Sequence, residues 1–286
     1  MSDKNFTIGD FELFKESLGA GAQGEVVKAR HKFTGQYYAV KILPLNTDTH
    51  KNAFQNEVTM TALCQSCSHV VPFIKSFQYC DFGFMVMEKM KFDLFEIIND
   101  TSKLRTEDEV ASVFFQICTG IAELHAINVA HLDIKPENIL LDKKGHVHFC
   151  DFGAATTFQK NELQTGVRGT LAYICPEMKS GIAYEPAKAD MWSLGILLYV
   201  LLTGTFPFSS KNAKKVKEVD FSELEGYPIS ELCLDLLVRL LSLDANKRIN
   251  IEQTINHPWF YGMRPNVQKK VSLLHKFKNK INPKKN

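Results

Sequence analysis

The 286-residue sequence has little net charge, no long hydrophobic run and no regular cysteine framework. A net charge of +2 excludes a polyelectrolyte built for nucleic acid. The most apolar run, LGILLYVLLTG at 194–204, is far below the ~20 residues of a membrane span. It predicts a helix buried on all sides and no transmembrane segment. The first residues, MSDKNFTIGDFELF, lack the charged-then-apolar profile of a secretion signal. Cys64, Cys67, Cys80, Cys118, Cys150, Cys175 and Cys233 are odd in number and irregularly spaced, which points to a reducing compartment, cytoplasmic or nuclear. Cys64 and Cys67 form a C-x-x-C without a second pair and read as buried thiols rather than zinc ligands. There is no internal repeat and no low-complexity linker.

Apolar residues make up 45% and charged residues 23%, ordinary for a globular chain with a sizeable core. Residues 11–45 read as short strands rich in β-branched and aromatic residues and broken by glycine. Residues 50–66 switch to helical spacing, with Phe54, Val58 and either Thr61 or Ala62 on one face. Strands return at 70–88. Beyond residue 93 the pattern is mainly helical: Val110, Phe114, Ile117, Ile121 and Leu124 share a face, and helices resume at 187–204 and 230–242. The change near MEKMKF, 87–92, predicts two lobes joined by a short connector, with a cleft suited to a ligand between them.

Three stretches carry chemistry. LGAGAQGEVV contains Gly19, Gly21 and Gly24, a G-x-G-x-x-G that lets backbone N–H groups approach phosphate oxygens. A strand-like segment follows the third glycine, which argues against a nicotinamide dinucleotide site, where a helix is required. Lys41 stands in the apolar strand YYAVKIL, where a cation needs a partner; Glu57 in the following helix can supply one. The stretch VAHLDIKPENILL, 129–141, crowds polar groups beside the core. Asp133 can accept a hydrogen bond from an attacking hydroxyl, Lys135 can neutralise phosphoryl charge, and Asn138 offers a neutral oxygen to a metal. Thirteen residues on, Asp151 in CDFGAAT adds an anionic oxygen, and the pair suits Mg²⁺. Phosphoryl transfer needs alignment and positive charge more than covalent help.

From about Phe11 to Phe260 the chain resembles a eukaryotic protein kinase. The resemblance rests on the glycine-rich loop 19–26, AVK ending at Lys41, HLDIKPEN at 131–138, DFG at 151–153 and CPE at 175–177. It implies an α+β bilobal fold: an N-terminal extension (1–10), a small antiparallel β-sheet lobe with one main helix (11–87), a hinge (88–92), a larger helical lobe (93–260) and a basic tail (261–286). It further implies ATP and Mg²⁺, with Mn²⁺ as a substitute, and transfer of the γ-phosphate to Ser/Thr hydroxyls of protein substrates. By the same resemblance, Lys41 contacts the α/β-phosphates and pairs with Glu57, Asp133 orients the substrate hydroxyl, Lys135 steadies the γ-phosphate, and Asn138 and Asp151 hold the metal. Leu18, Gly19, Gly21, Gly24, Val26, Ala39 and Leu140 enclose the nucleotide. Met87 is the gatekeeper, and Glu88 and Met90 meet adenine. Lys135 in DIKPEN and Thr170 in GTLAY match the serine/threonine class, with the Thr170 hydroxyl bridging Asp133 and Lys135. Glu177 pairs with Arg248, and Asp190 binds the backbone of the catalytic loop.

The chain also departs from the pattern. Leu132 replaces the arginine of H-R-D, the residue that in many kinases binds an activation-loop phosphate. Activity independent of such phosphorylation is therefore expected. H-x-D loops with KPEN resemble the calcium/calmodulin-dependent group. Thr61 is polar where kinases commonly pack an apolar side chain, and MKFDLF is one residue shorter than usual after the hinge, which makes Asp93 an inexact match to an acidic position that contacts ribose or a substrate arginine. Glu137 with Asp93 suggests basic residues upstream of the substrate acceptor. Segment 262–286 holds eight Lys/Arg and no acid, with Val267, Val271, Leu274 and Ile281 on one helical face. It suggests a calmodulin or autoinhibitory contact, beside the plainer readings of a solvated tail or a nuclear import signal. A nucleotide-binding scaffold without turnover and a small-molecule phosphotransferase are the competing functions.

Overall fold

Alternating apolar residues build one antiparallel sheet from the N-terminal third of the chain. Its strands are β1 (Phe6–Ile8), β2 (Phe11–Gly21), β3 (Gly24–His31), β4 (Tyr37–Pro44), β5 (Phe73–Tyr79) and β6 (Phe82–Glu88), in the order β1-β2-β3-β4-β6-β5. This is a computed structural model that describes residues 6–21, 24–99, 106–208 and 229–261, with Val219, Phe221, Leu224, Gly226 and Tyr227. Ala22 and Gln23 of the glycine-rich motif and the basic segment 262–286 lie outside the described residues. Phe6–Ile8 falls in the stretch expected to be an extension, yet it pairs with Phe11–Leu13 and adds a sixth strand.

Register decides what each face of the sheet presents. Val26 stands opposite Lys41, and Ala39 lies between Lys28 and Met87 on the neighbouring strands. Because side chains alternate along a strand, Val26, Ala39, Lys41 and Met87 share one face. The other face packs Val27, Ala29, Val40, Phe84 and Val86 against Ile8, Phe11 and Leu13. Helix α1 (Asp48–Leu63) follows β4, started by Thr47, whose hydroxyl accepts from the His50 N–H. It buries Phe54, Glu57, Met60 and Thr61; Thr61 rather than the exposed Ala62 completes that face.

Residues 89–91 lead into the second lobe. Its helices are α2 (Leu94–Asn99), α3 (Glu107–Ala126), α4 (Pro176–Lys179), α5 (Pro186–Thr203), α6 (Glu231–Leu240) and α7 (Ile251–Ile255). Short strands β7 (Phe92–Asp93), β9 (Ile139–Leu141) and β10 (Val147–Phe149) form one ribbon, and β8 (Val129–Ala130) pairs with β11 (Thr156–Thr157). Helix α3 is opened by a reciprocal cap between Thr106 and Glu109 and buries Phe114, Ile117, Ile121 and Leu124. Every residue of α5 from Ala189 to Leu201 is buried, the apolar run that starts at Leu194 and the polar Asp190 and Ser193 alike. Each such leucine or isoleucine withdrawn from water contributes roughly 1.5–3 kcal/mol. Among the described residues no helix is long and apolar enough to cross a membrane.

Candidate active site

The two lobes meet at an ion cluster in which Lys41 and Glu57 are buried and Asp151 is partly exposed. Lys41, on the inward face of β4, places its Nζ 2.7 Å from Glu57 Oε1 and 3.1 Å from Asp151 Oδ1. Lys41 is 6% exposed and Glu57 2%. Burial pushes the ammonium pKa down, but Glu57 and then Asp151 more than offset it, so Lys41 sits above the ordinary lysine value and stays charged. The second Glu57 oxygen is buried without a partner, so the carboxylate depends on this one lysine.

Asp151 arrives from the other lobe with φ +62, a conformation that turns the chain sharply after β10. Its Oδ1 also accepts from the Gly153 N–H at 3.3 Å. The neighbouring Phe152 is buried, with its ring 5.0 Å from that of His131. Cys150 N–H donates to the Asn138 carbonyl, which sets Asn138 beside Asp151. Burial pushes the Cys150 thiol far above its ordinary pKa, so it is a protonated packing group at neutral pH.

The catalytic-loop candidates surround Asp133. Its Oδ1 accepts from the Thr170 N–H at 2.8 Å and the Thr170 hydroxyl at 2.7 Å. Its Oδ2 takes the Asn138 amide at 2.9 Å and lies 2.9 Å from Lys135 Nζ. Lys135 also donates to the Thr170 hydroxyl at 2.7 Å. Burial raises the Asp133 pKa, but the hydrogen bonds from Lys135 and Thr170 outweigh it and hold the carboxyl below the usual range. Asn138 gives its amide protons to the Asp133 carbonyl and carboxylate, so its amide oxygen remains for other use. A neutral oxygen from Asn138 and an anionic one from Asp151 form a hard donor pair that fits Mg²⁺.

The loop is strained and held from below. Leu132 is buried at φ +59, outside the usual region for leucine. Asp190 of α5, fully buried, accepts from the His131 N–H at 2.9 Å and the Leu132 N–H at 2.8 Å. His125 at the end of α3 donates from Nε2 to the same carboxylate at 2.9 Å. His131 accepts from the Asp133 N–H at Nδ1 and lies 3.1 Å from the Cys150 carbonyl at Nε2, which fixes the neutral Nε2–H tautomer. Gly169, at φ +81, packs where a Cβ would come 2.1 Å from the Leu132 carbonyl oxygen. Only glycine lets Thr170 approach Asp133 this closely.

Around the cleft, the remaining candidates have clear positions. Leu18, Val26, Ala39, Met87, Met90 and Leu140 are half-buried, Gly19 and Glu88 exposed. Gly24 closes the hairpin with Gly21, where a Cβ would come 2.2 Å from the Ile42 carbonyl. Glu88 N–H donates to the Pro72 carbonyl and Lys91 N–H to that of Leu141, tying the connector to both lobes. Asp93 Oδ1 accepts from the Glu96 N–H at 2.6 Å and so caps α2. Glu137 is exposed. Farther out, Arg248 lies 2.8 Å from Glu177, donates to the Lys188 and Ser242 carbonyls and sits over the Trp192 ring. Sequence reasoning missed His125, whose signal is only a histidine closing the helix before the catalytic loop. It also missed Gln65, which joins the Thr61 and Val71 carbonyls to the Phe73 N–H and so anchors the end of α1.

Comparison with known proteins agrees with this geometry. "Serine/threonine protein kinase OSK3" of Oryza sativa subsp. indica is 35% identical over 266 residues, covering 90% of this chain and 50% of the relative. "Serine/threonine-protein kinase D2" of Homo sapiens is 34% identical over 264 residues, 87% of this chain and 29% of the relative. A probable serine/threonine-protein kinase of Dictyostelium discoideum is 33% identical over 263 residues, 89% and 31%. The chain thus spans at most about half the length of these relatives. The protein kinase domain matches residues 13–260, which takes in both lobes and every group gathered at the cleft, and the chain belongs to that family.

Proposed function

We propose that the chain transfers the γ-phosphate of ATP to serine and threonine hydroxyls of protein substrates. The observation that carries this reading is Lys41 Nζ held between Glu57 of one lobe and Asp151 of the other. That arrangement would set a cation beside a bound triphosphate. Asn138 and Asp151 would hold Mg²⁺, which supplies positive charge against the β- and γ-phosphoryl oxygens. Val26, Ala39 and Leu140 would enclose adenine, with Met87 behind it and the Glu88 and Met90 backbone along its edge.

The hydrogen bonds at Asp133 suggest the order of events. A carboxylate accepts about four hydrogen bonds, and Thr170 N–H, Thr170 O–H, Asn138 and Lys135 fill them. Lys135 is the mobile donor of the four, on a long side chain. When an anionic γ-phosphate enters, Lys135 turns toward it and frees an Asp133 lone pair for the substrate hydroxyl. The hydroxyl oxygen then bonds to γ-phosphorus, the bond to the bridging oxygen breaks, and Asp133 takes the proton. Because its pKa is held low, Asp133 is ionised at neutral pH and receives that proton late, as a loose phosphoryl transition state requires.

Finer features belong to the same proposal. Leu132 cannot bind a phosphate, so activity does not require activation-loop phosphorylation. Exposed Glu137 favours a basic residue upstream of the acceptor; Asp93, committed in part to capping α2, contributes less. The segment 262–286 is proposed as a regulatory contact, tested by titrating that peptide with Ca²⁺-loaded calmodulin. A peptide array with [γ-³²P]ATP and phosphoamino-acid analysis tests the main reading. Label on serine and threonine with a basic upstream preference supports it; ATP binding without any label on peptide or protein would leave a nucleotide-binding scaffold instead.

A further inference from the structure

The segment from Asp151 to Glu177 must be ordered to present Thr170 to Asp133, and Leu132 gives it no cation through which a phosphate could act. Its seat is apolar: Ala155 is 1% exposed, and Phe158 packs edge-on against the His125 ring at 5.8 Å. Thr156 and Thr157 pair with Ala130 and Val129, and the Phe158 N–H donates to the Asn128 carbonyl. A tight turn then reverses the chain. Gln159 N–H donates to the Glu162 carboxylate, Glu162 N–H returns to the Gln159 carbonyl, and Asn161 takes φ +63.

That reversal brings Gln164 between two anchored strands. Its N–H and carbonyl exchange hydrogen bonds with Tyr184, both at 2.9 Å. Its side-chain Nε2 donates to the Thr157 carbonyl at 3.0 Å. Tyr184 is buried two residues before α5, and α5 carries Asp190, which grips the catalytic loop. One residue therefore closes a ring from β8 through β11, Gln164 and Tyr184 to α5 and back to residues 131–132. Thr170 leaves this ring six residues later.

We propose that Gln164 is a positioning residue that holds the segment in its working conformation in place of a phosphate. The proposal rests on the phosphotransferase reading above. The requirement is chemical: Thr157 offers a carbonyl, so only a donor at 164 can complete the ring. Glutamate has the same size but presents an oxygen.

The test uses Gln164→Glu, Gln164→Ala and Gln164→Lys in the full chain, with matched thermal melts. Loss of one such hydrogen bond predicts roughly a three- to tenfold fall in kcat with peptide substrate for the glutamate and alanine variants. The KM for ATP stays unchanged, and lysine, which restores a donor, recovers most of the rate. Amide exchange across residues 156–166 rises in the same two variants. Unchanged exchange and unchanged kcat in Gln164→Glu would overturn the proposal. A wild-type chain that transfers no phosphate would refute the kinase reading instead, and the exchange arm would still decide the role of Gln164.

Discussion

Replacing Arg248 by alanine should strongly destabilise the large lobe. The guanidinium is fully buried, 2.8 Å from a Glu177 carboxylate that is only 15% exposed. It also donates to Lys188 O at 2.9 Å and Ser242 O at 3.0 Å, and lies 5.2 Å from the Trp192 ring centroid. Arg248→Ala takes one hydrogen bond from each of two carbonyls and leaves a carboxylate without its cation. The other Glu177 oxygen is already buried and unpartnered, so it offers no relief. Breaking a buried pair in this way costs about 3–5 kcal/mol. At about 2–4 °C per kcal/mol for a domain of this size, Tm falls by about 6–20 °C. Glu177→Gln preserves shape and hydrogen bonding and should cost about 1.5–3 kcal/mol. The paired change Arg248→Met with Glu177→Leu should recover part of the loss, because neither charge is then stranded. Calorimetry of the three variants reads all of this. A shift under about 2 °C for Arg248→Ala would place the pair with ordinary surface salt bridges and refute the reasoning.

Three further outcomes follow from the site. Gly169→Ala forces a Cβ to within 2.1 Å of the Leu132 carbonyl at a φ of +81, so kcat should fall by at least about tenfold while nucleotide affinity, read by fluorescence, holds. Thr170→Val removes a hydroxyl that stabilises the Asp133 anion. The Asp133 pKa, now depressed, should rise and carry the acid limb of kcat/KM upward with it in a pH–rate profile. In wild type the stability from this depressed pKa is present above about pH 4 and lost as pH falls through the folded value; Thr170→Val should shrink that contribution. Thr156, Thr157 and Thr165 changed together to alanine should leave most activity intact; its abolition would contradict a phosphate-independent segment.

How much could be read from the sequence depended on distance along the chain. Asp133, Lys135 and Asn138 lie within six residues, so their grouping follows from local geometry. Lys41 required a partner because its strand is apolar, and Glu57 was the carboxylate one helix away. The long contacts were less legible. That His125 meets Asp190 depends on how the end of α3 crosses α5, which periodicity does not encode. The choice of Thr61 over Ala62 turned on a helix rotation of one residue. Strand β1 is three residues long and carries too little alternation to be distinguished from a tail. Gln164 was hidden because its contacts depend on the left-handed turn at Asn161, which the sequence marks only by an asparagine.

The most direct measurement is a single-turnover experiment with wild type and Asp133→Asn, following label from [γ-³²P]ATP into a serine-containing protein substrate. The asparagine keeps the shape of the side chain but gives up the anion proposed to receive the hydroxyl proton. Unchanged ATP affinity with phosphate transfer reduced by at least about a hundredfold is the predicted result. Transfer at the wild-type rate in the variant would contradict the account.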